Sequence, residues 1–229
     1  MTTMKPVRVL SVLAMSLAAL IACGSDSDRL DTGSAALEWQ VAARDCARAD
    51  VETVRIEIEG GWKNERGVSH WDFTCTERRG EVPELAPGRY VFVLNGLATD
   101  GVTSFLGRTE QVEVRSRGVA RPGTVILEAR PADLRVEWTF GGPFCSHVGV
   151  AEVELIAFDS FGSAIGSARE GCDTGRAHLL LRPGAYDVAV FGLGANGQLL
   201  YHSVFEVGLL AGHEHTERVT LEVVEAPSR

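Results

Sequence analysis

The sequence predicts an all-β protein built as two tandem seven-stranded antiparallel β-sandwich domains, each with one disulfide. Three observations carry that expectation. The chain repeats itself once, its apolar residues recur at every second position, and the runs between them end in Gly, Pro, Asn or Asp.

The repeat can be followed strand by strand. In the first strand of each unit, Leu37, Trp39 and Val41 match Val136, Trp138 and Phe140 at an offset of 99, which also carries Cys46 onto Cys145. Val54, Ile56 and Ile58 match Val153, Leu155 and Ala157 at the same offset. The offset falls to 97 at Cys75 and Cys172, then to 96 where Pro87, Gly88 and Tyr90 match Pro183, Gly184 and Tyr186. A stepwise decline is what a shortened loop leaves behind when strand lengths are held by pairing. Two units of roughly 90 residues suit tandem domains, because a solenoid needs three or more shorter units.

Within a unit the period is two. Residues 53–59 put Val54, Ile56 and Ile58 on one side and Thr53, Arg55, Glu57 and Glu59 on the other, a strand with one face in a core and one in water. Tyr90, Phe92 and Leu94 line one face of a later strand, as Tyr186, Val188 and Val190 do in the second copy. Between β-rich runs, Asp100-Gly101 and Asn196-Gly197 read as two-residue type I′ turns. Residues 219–223 form the last strand. No stretch beyond the N-terminal segment holds a helical period, and the turn signals divide each unit into about seven strands. Trp39 and Trp138 recur within the core pattern and are expected to be buried. Domain boundaries fall at 35–130 and 131–225, joined through a short junction stiffened by Pro131.

The phrase Leu85-Ala86-Pro87-Gly88-Arg89-Tyr90, with Phe92, Leu94 and Gly96-Leu97 following, recurs from Leu181 to Leu193. It resembles bacterial Ig-like or carboxypeptidase-regulatory-like (prealbumin-like) sandwich domains, and uncharacterised lipoproteins of GC-rich bacteria are similar over the whole length after residue 22. The resemblance implies the fold and brings no shared catalytic residues.

The N-terminus carries a separate message. Lys5 and Arg8 precede an apolar run at 9–21, shorter than the ~18–20 residues that span a bilayer and suited to an export signal. Leu20-Ile21-Ala22-Cys23 resembles the bacterial lipobox. That resemblance implies removal of 1–22, acylation of Cys23 (a palmitate-type anchor), a polar tether over 23–34, and attachment to the cell envelope. Gly24 after the cysteine implies the outer membrane.

Four cysteines remain beyond Cys23, an even number that favours disulfides in an exported chain. Three pairings are open, and the repeat selects Cys46–Cys75 and Cys145–Cys172. The chain has 22 basic and 31 acidic side chains, and removal of Lys5 and Arg8 leaves 20 against 31, a net charge of −11. So acidic a body is a poor partner for nucleic acid.

Chemistry is sparse. His213 and His215 could ligate a metal from one strand face, but no third ligand stands near them, so no metal is expected. There is no GxSxG elbow, no phosphate-binding glycine loop and no thiol left unpaired, so neither an enzyme nor a cofactor is expected. Trp71, which has no aromatic counterpart in the second copy, is the best candidate for stacking on a sugar or partner, with His70 and Trp62 nearby in sequence. Trp62 corresponds to Phe161 and reads as structural. The expected function is an envelope lipoprotein with a structural or protein-interaction role, its partner an unidentified envelope protein. Carbohydrate binding through loops of the first domain is the alternative.

Overall fold

The computed structural model describes residues 31–42, 45–142 and 144–224; the signal expected at 1–22, Cys23 and the tether as far as residue 30 lie outside them. Among the described residues no helix is long and apolar enough to cross a membrane. From Asp31 onward the chain forms one compact all-β unit with two disulfides.

The first half runs β1 (Gly33–Val41), β2 (Thr53–Ile58), β3 (His70–Thr74), β4 (Arg79–Leu85), β5 (Gly88–Tyr90), β6 (Phe92–Leu97), β7 (Thr103–Arg108), β8 (Val112–Val114), β9 (Val119–Ala120) and β10 (Thr124–Ala129). The second runs β11 (Ala132–Thr139), β12 (Val150–Phe158), β13 (Ala164–Gly171), β14 (Arg176–Leu181), β15 (Gly184–Gly194), β16 (Leu199–Leu209), β17 (Glu214–Thr220) and β18 (Glu222–Val223), with one helical turn at α1 (Cys145–Val148).

Pairing repeats between the halves. In the first, β1 lies between antiparallel β4 and parallel β10; in the second, β11 lies between antiparallel β14 and parallel β17. Likewise β2 lies between β3 and β6, and β12 between β13 and β15. One pairing breaks the symmetry. β7 joins β10 through Leu106–Glu128 and Phe105–Ala129, fusing in the first half what stays two sheets, β14-β11-β17 and β13-β12-β15-β16-β18, in the second.

Ten and eight strands stand where seven were expected in each half. Part of the surplus is the two-residue β9 and β18; the rest is a break in two long strands. Thr109 turns its hydroxyl inward to accept the Phe92 N–H at 3.0 Å, which replaces a ladder bond and divides β5 from β6 and β7 from β8. The corresponding strands of the second half, β15 and β16, each continue for 11 residues, and there Val188 and Phe205 pair as ordinary strand partners.

Each half has its own hydrophobic cluster, drawn from residues 35–127 and 132–221. Alternation decides which residues enter: Val54, Ile56 and Ile58 of β2 and Val153, Leu155 and Ala157 of β12 are all buried. Trp39 and Trp138 are 2% and 8% exposed. Their indole N–H groups donate to the carbonyls of Cys75 and Cys172, both at 3.0 Å, so a buried polar tip is satisfied in the same way twice. The bridges are Cys46–Cys75 and Cys145–Cys172, with Cα atoms 6.0 and 5.9 Å apart. Each ties the segment after the first strand to a short 3₁₀ turn between the third and fourth.

The Pro-Gly-x-Tyr phrase has a physical explanation. The hydroxyls of Tyr90 and Tyr186 donate to the carbonyls of Ala86 and Arg182, each at 2.7 Å. Each ring lies over the glycine two residues before it: a Cβ on Gly184 would come within 3.2 Å of the phenol oxygen. Desolvation pushes both phenols above their ordinary pKa.

The two hairpin turns differ from expectation. Gly101 and Gly197 have φ of +83° and +79°, but Asp100 and Asn196 are not in the left-handed region, so neither turn is type I′. Gly101 N–H bonds to Ala98 and Ala98 N–H to Val102, closing a three-residue loop with the glycine at its bulge. Asp100 and Asn196 instead accept the N–H groups of Val102 and Gln198, which holds them in an ordinary right-handed turn.

Candidate functional site

The three aromatic candidates do not converge. β3 alternates, so Trp71 packs against the first core while His70 points outward, its ring 3.4 Å from the Ser69 hydroxyl. Trp62 sits beyond Gly60 and Gly61, both at positive φ, and is 67% exposed. Phe161, its counterpart, is 91% exposed. The structural role expected of Trp62 is therefore corrected: these hairpin ends present aromatic rings to solvent, because the turn glycines carry the chain away from either core.

His213 and His215 part company as well. His215, in β17, lies 3.4 Å from Glu217, whereas His213 lies in the turn before β17 and reaches the first half. Among the described residues no group of three or more His, Cys, Asp and Glu side chains could hold a metal.

That junction is a built polar site joining the two halves. His213 Nε2 lies 2.9 Å from Asp100 Oδ2, and its Nδ1 lies 2.8 Å from the Ala211 carbonyl. Both partners are acceptors, so both ring nitrogens must carry hydrogen, and the geometry fits an imidazolium. The Asp100 contact and then the Ala211 carbonyl raise the His213 pKa, with lesser help from the charges of Asp100 and Asp50. Asp100 is lowered first by the Val102 N–H and then by His213. Beside this pair the Gly212 N–H donates to Arg130, and a Cβ on Gly212 would lie 2.3 Å from the Thr103 carbonyl oxygen, so only glycine allows the approach. Ala211 packs on the first core. A cleft of about 760 Å³ opens alongside, lined by Phe105, Ala129, Leu209, Leu210, Arg182 and His213.

None of this was readable in the sequence, where His213 and Asp100 stand 113 residues apart. The one signal was that Arg117, at the matching place in the first copy, is not a histidine.

The sign of the pH dependence follows. A raised histidine contributes stability that is fully present below its unfolded pKa, near 6.5, and lost as pH rises through the folded value. A lowered aspartate contributes above its unfolded pKa, near 3.8, and the contribution is lost as pH falls through the lower folded value. Thermal melts of wild type and His213→Ala should therefore differ most between about pH 4 and pH 6.5 and converge in alkali. A gap that widened above neutrality would contradict the imidazolium assignment.

No protein-family model and no curated protein matches the chain. Among solved structures it is similar to the Bacillus anthracis TIE protein, at 12% identity and a TM-score of 0.39, over 84% of this chain and 34% of that one. It thus spans about a third of that protein's length. It is also similar to a proposed adhesin from Bacteroides thetaiotaomicron (12% identity, TM-score 0.34, 86% of this chain and 95% of that one). A proposed cell adhesion protein from Bacteroides eggerthii is similar at 9% identity and a TM-score of 0.35, over 86% of this chain and 93% of that one.

Proposed function

We propose that this chain is a lipoprotein of the cell envelope, held at the outer membrane by acyl chains on Cys23. In this reading it presents two tandem sandwich domains, 35–130 and 131–225, to another envelope protein and catalyses nothing. One observation carries the reading: every cysteine beyond Cys23 is consumed in a bridge confined to its own half, as suits a chain matured in an oxidising compartment. That leaves Cys23, in its lipobox-like setting, as the one thiol free for acylation. The acidic balance of the body supports a protein partner over nucleic acid. Carbohydrate binding by the first-half loops would have to rest on Trp62, because the Trp71 ring packs against the core.

The test is Cys23→Ala in a host that processes the wild type. The variant is expected to keep its N-terminal segment and to incorporate no labelled palmitate. Normal cleavage with label still attached would remove the lipoprotein reading.

A further inference from the structure

We infer that the outer face of the sheet β12-β15-β16 is a self-association surface, on which a second copy of this chain packs about a two-fold axis running along β15.

The first half supplies an internal control, because its sheet β2-β6-β7 has the same register. There the outward side chains satisfy one another: Arg55 forks onto Asp72 with both contacts at 2.8 Å, Asn95 donates to Glu57 at 3.3 Å, and Arg108 pairs with Glu59. The pairings Val93–Glu57 and Val93–Arg108 correspond to Ala189–Ile156 and Ala189–Val204. Ile156 thus replaces Glu57, Phe158 replaces Glu59, Phe191 replaces Asn95 and Val204 replaces Arg108. Two ion-pair or hydrogen-bond partnerships have become a continuous apolar stripe, with Val204 63% exposed. One chain thus carries the same surface in a water-facing version and in an apolar one, and contiguous apolar patches mark interaction sites.

Charge placement selects a second copy as the occupant. Across the strands, one outward row reads Arg169, Glu154, Phe191, His202, Glu222 and the next reads Ser167, Ile156, Ala189, Val204. Rotation by half a turn about β15 lays β13 over β18 and β12 over β16. Arg169 then faces Glu222, Glu154 faces His202, Ile156 faces Val204, and Phe191 meets its own copy beside the small Ala189. Sheets that pack face to face diverge by about 30°, so these matches hold close to the axis, where the stripe lies. In the next row Phe158 faces Glu206 of the second copy and Asp187 meets its own copy, a like-charge contact on the axis.

Strands β12, β15 and β16 hold 9, 11 and 11 residues, and at ~3.4 Å by ~4.8 Å per residue they offer a face on the order of 500 Å². Adding β13 and β18, with 8 and 2 residues, brings it to about 670 Å², below the ~800 Å² per partner of a standard stable interface and in the range of a weaker, concentration-dependent one.

The experiment is sedimentation equilibrium of the full oxidised chain in mild detergent. Wild type is expected to approach twice the monomer mass as its concentration rises. Phe158→Glu/Val204→Arg recreates the Glu59–Arg108 pair of the first half and should weaken dimerisation by about 30-fold or more. Thermal melts and thiol titration verify that this variant keeps its fold and both bridges. Arg169→Glu should also weaken the dimer, and adding Glu222→Arg should restore it, which tests the register without touching the apolar stripe. A wild-type monomer at the highest soluble concentration would overturn the inference, as would a dimer indifferent to both sets of variants.

Discussion

Trp39→Ala is expected to lower folding stability by about 3–5 kcal/mol, the range for truncating a large, fully enclosed aromatic. The indole is 2% exposed, packs 6.0 Å from the Phe73 ring, and gives its N–H to the Cys75 carbonyl. Alanine would leave a cavity and remove one of the two hydrogen bonds the Cys75 carbonyl accepts, the other coming from the Arg78 N–H at 3.1 Å, so most of the loss comes from the cavity. Trp39→Phe separates them: it keeps most of the apolar volume and should cost about 1–2 kcal/mol, close to the value of the lost hydrogen bond. Trp138→Ala should behave like Trp39→Ala, since its N–H meets the Cys172 carbonyl at the same distance. Urea denaturation followed by circular dichroism, which does not depend on the deleted fluorophore, measures all three. A loss under about 1 kcal/mol for Trp39→Ala would mean that the first core is not organised around this ring.

Removing the first bridge as Cys46→Ala/Cys75→Ala should cost about 3–4 kcal/mol, because the closed loop spans 29 residues. The second bridge spans 27 residues, and its removal should cost about as much. The bridges lie in separate hydrophobic clusters, so the two losses should add to within ~0.5 kcal/mol. Against the ~5–15 kcal/mol typical of native proteins, losing both would bring the chain to the edge of unfolding. The check is denaturation of the single-bridge and bridge-free forms. Two separate transitions, each shifted only by its own bridge, would show that the halves unfold independently and that the losses do not sum.

Local periodicity makes much of the fold legible in the sequence. Residues 53–59 state which side faces the core, and the repeated cysteine and tryptophan positions state which pairs meet. These features depend on neighbours along one strand, or on a pattern stated twice. Features that depend on two segments meeting in space were hidden. The division of β5 from β6 depends on one hydroxyl, that of Thr109, turned inward. The His213–Asp100 contact depends on how the halves abut, and Arg117 at the matching place marks His213 as different without naming its partner. The hairpins misled because Asp-Gly and Asn-Gly serve two turn types, and the choice between them is made by the strand register on either side. Trp62 misled because its correspondence with Phe161 was real, yet what the two copies share at that point is an exposed turn.

In both halves the first strand lies parallel to the last long one, β1 to β10 over four residue pairs and β11 to β17 over seven. Parallel neighbours make the chain enter each half at one pole and leave it at the other. A pull between those ends therefore drags the two strands past each other lengthwise, and their bonds resist together instead of opening one after another like a zipper. Such a body is suited to bearing tension along its chain, and with the longer parallel ladder the second half should be the last to yield.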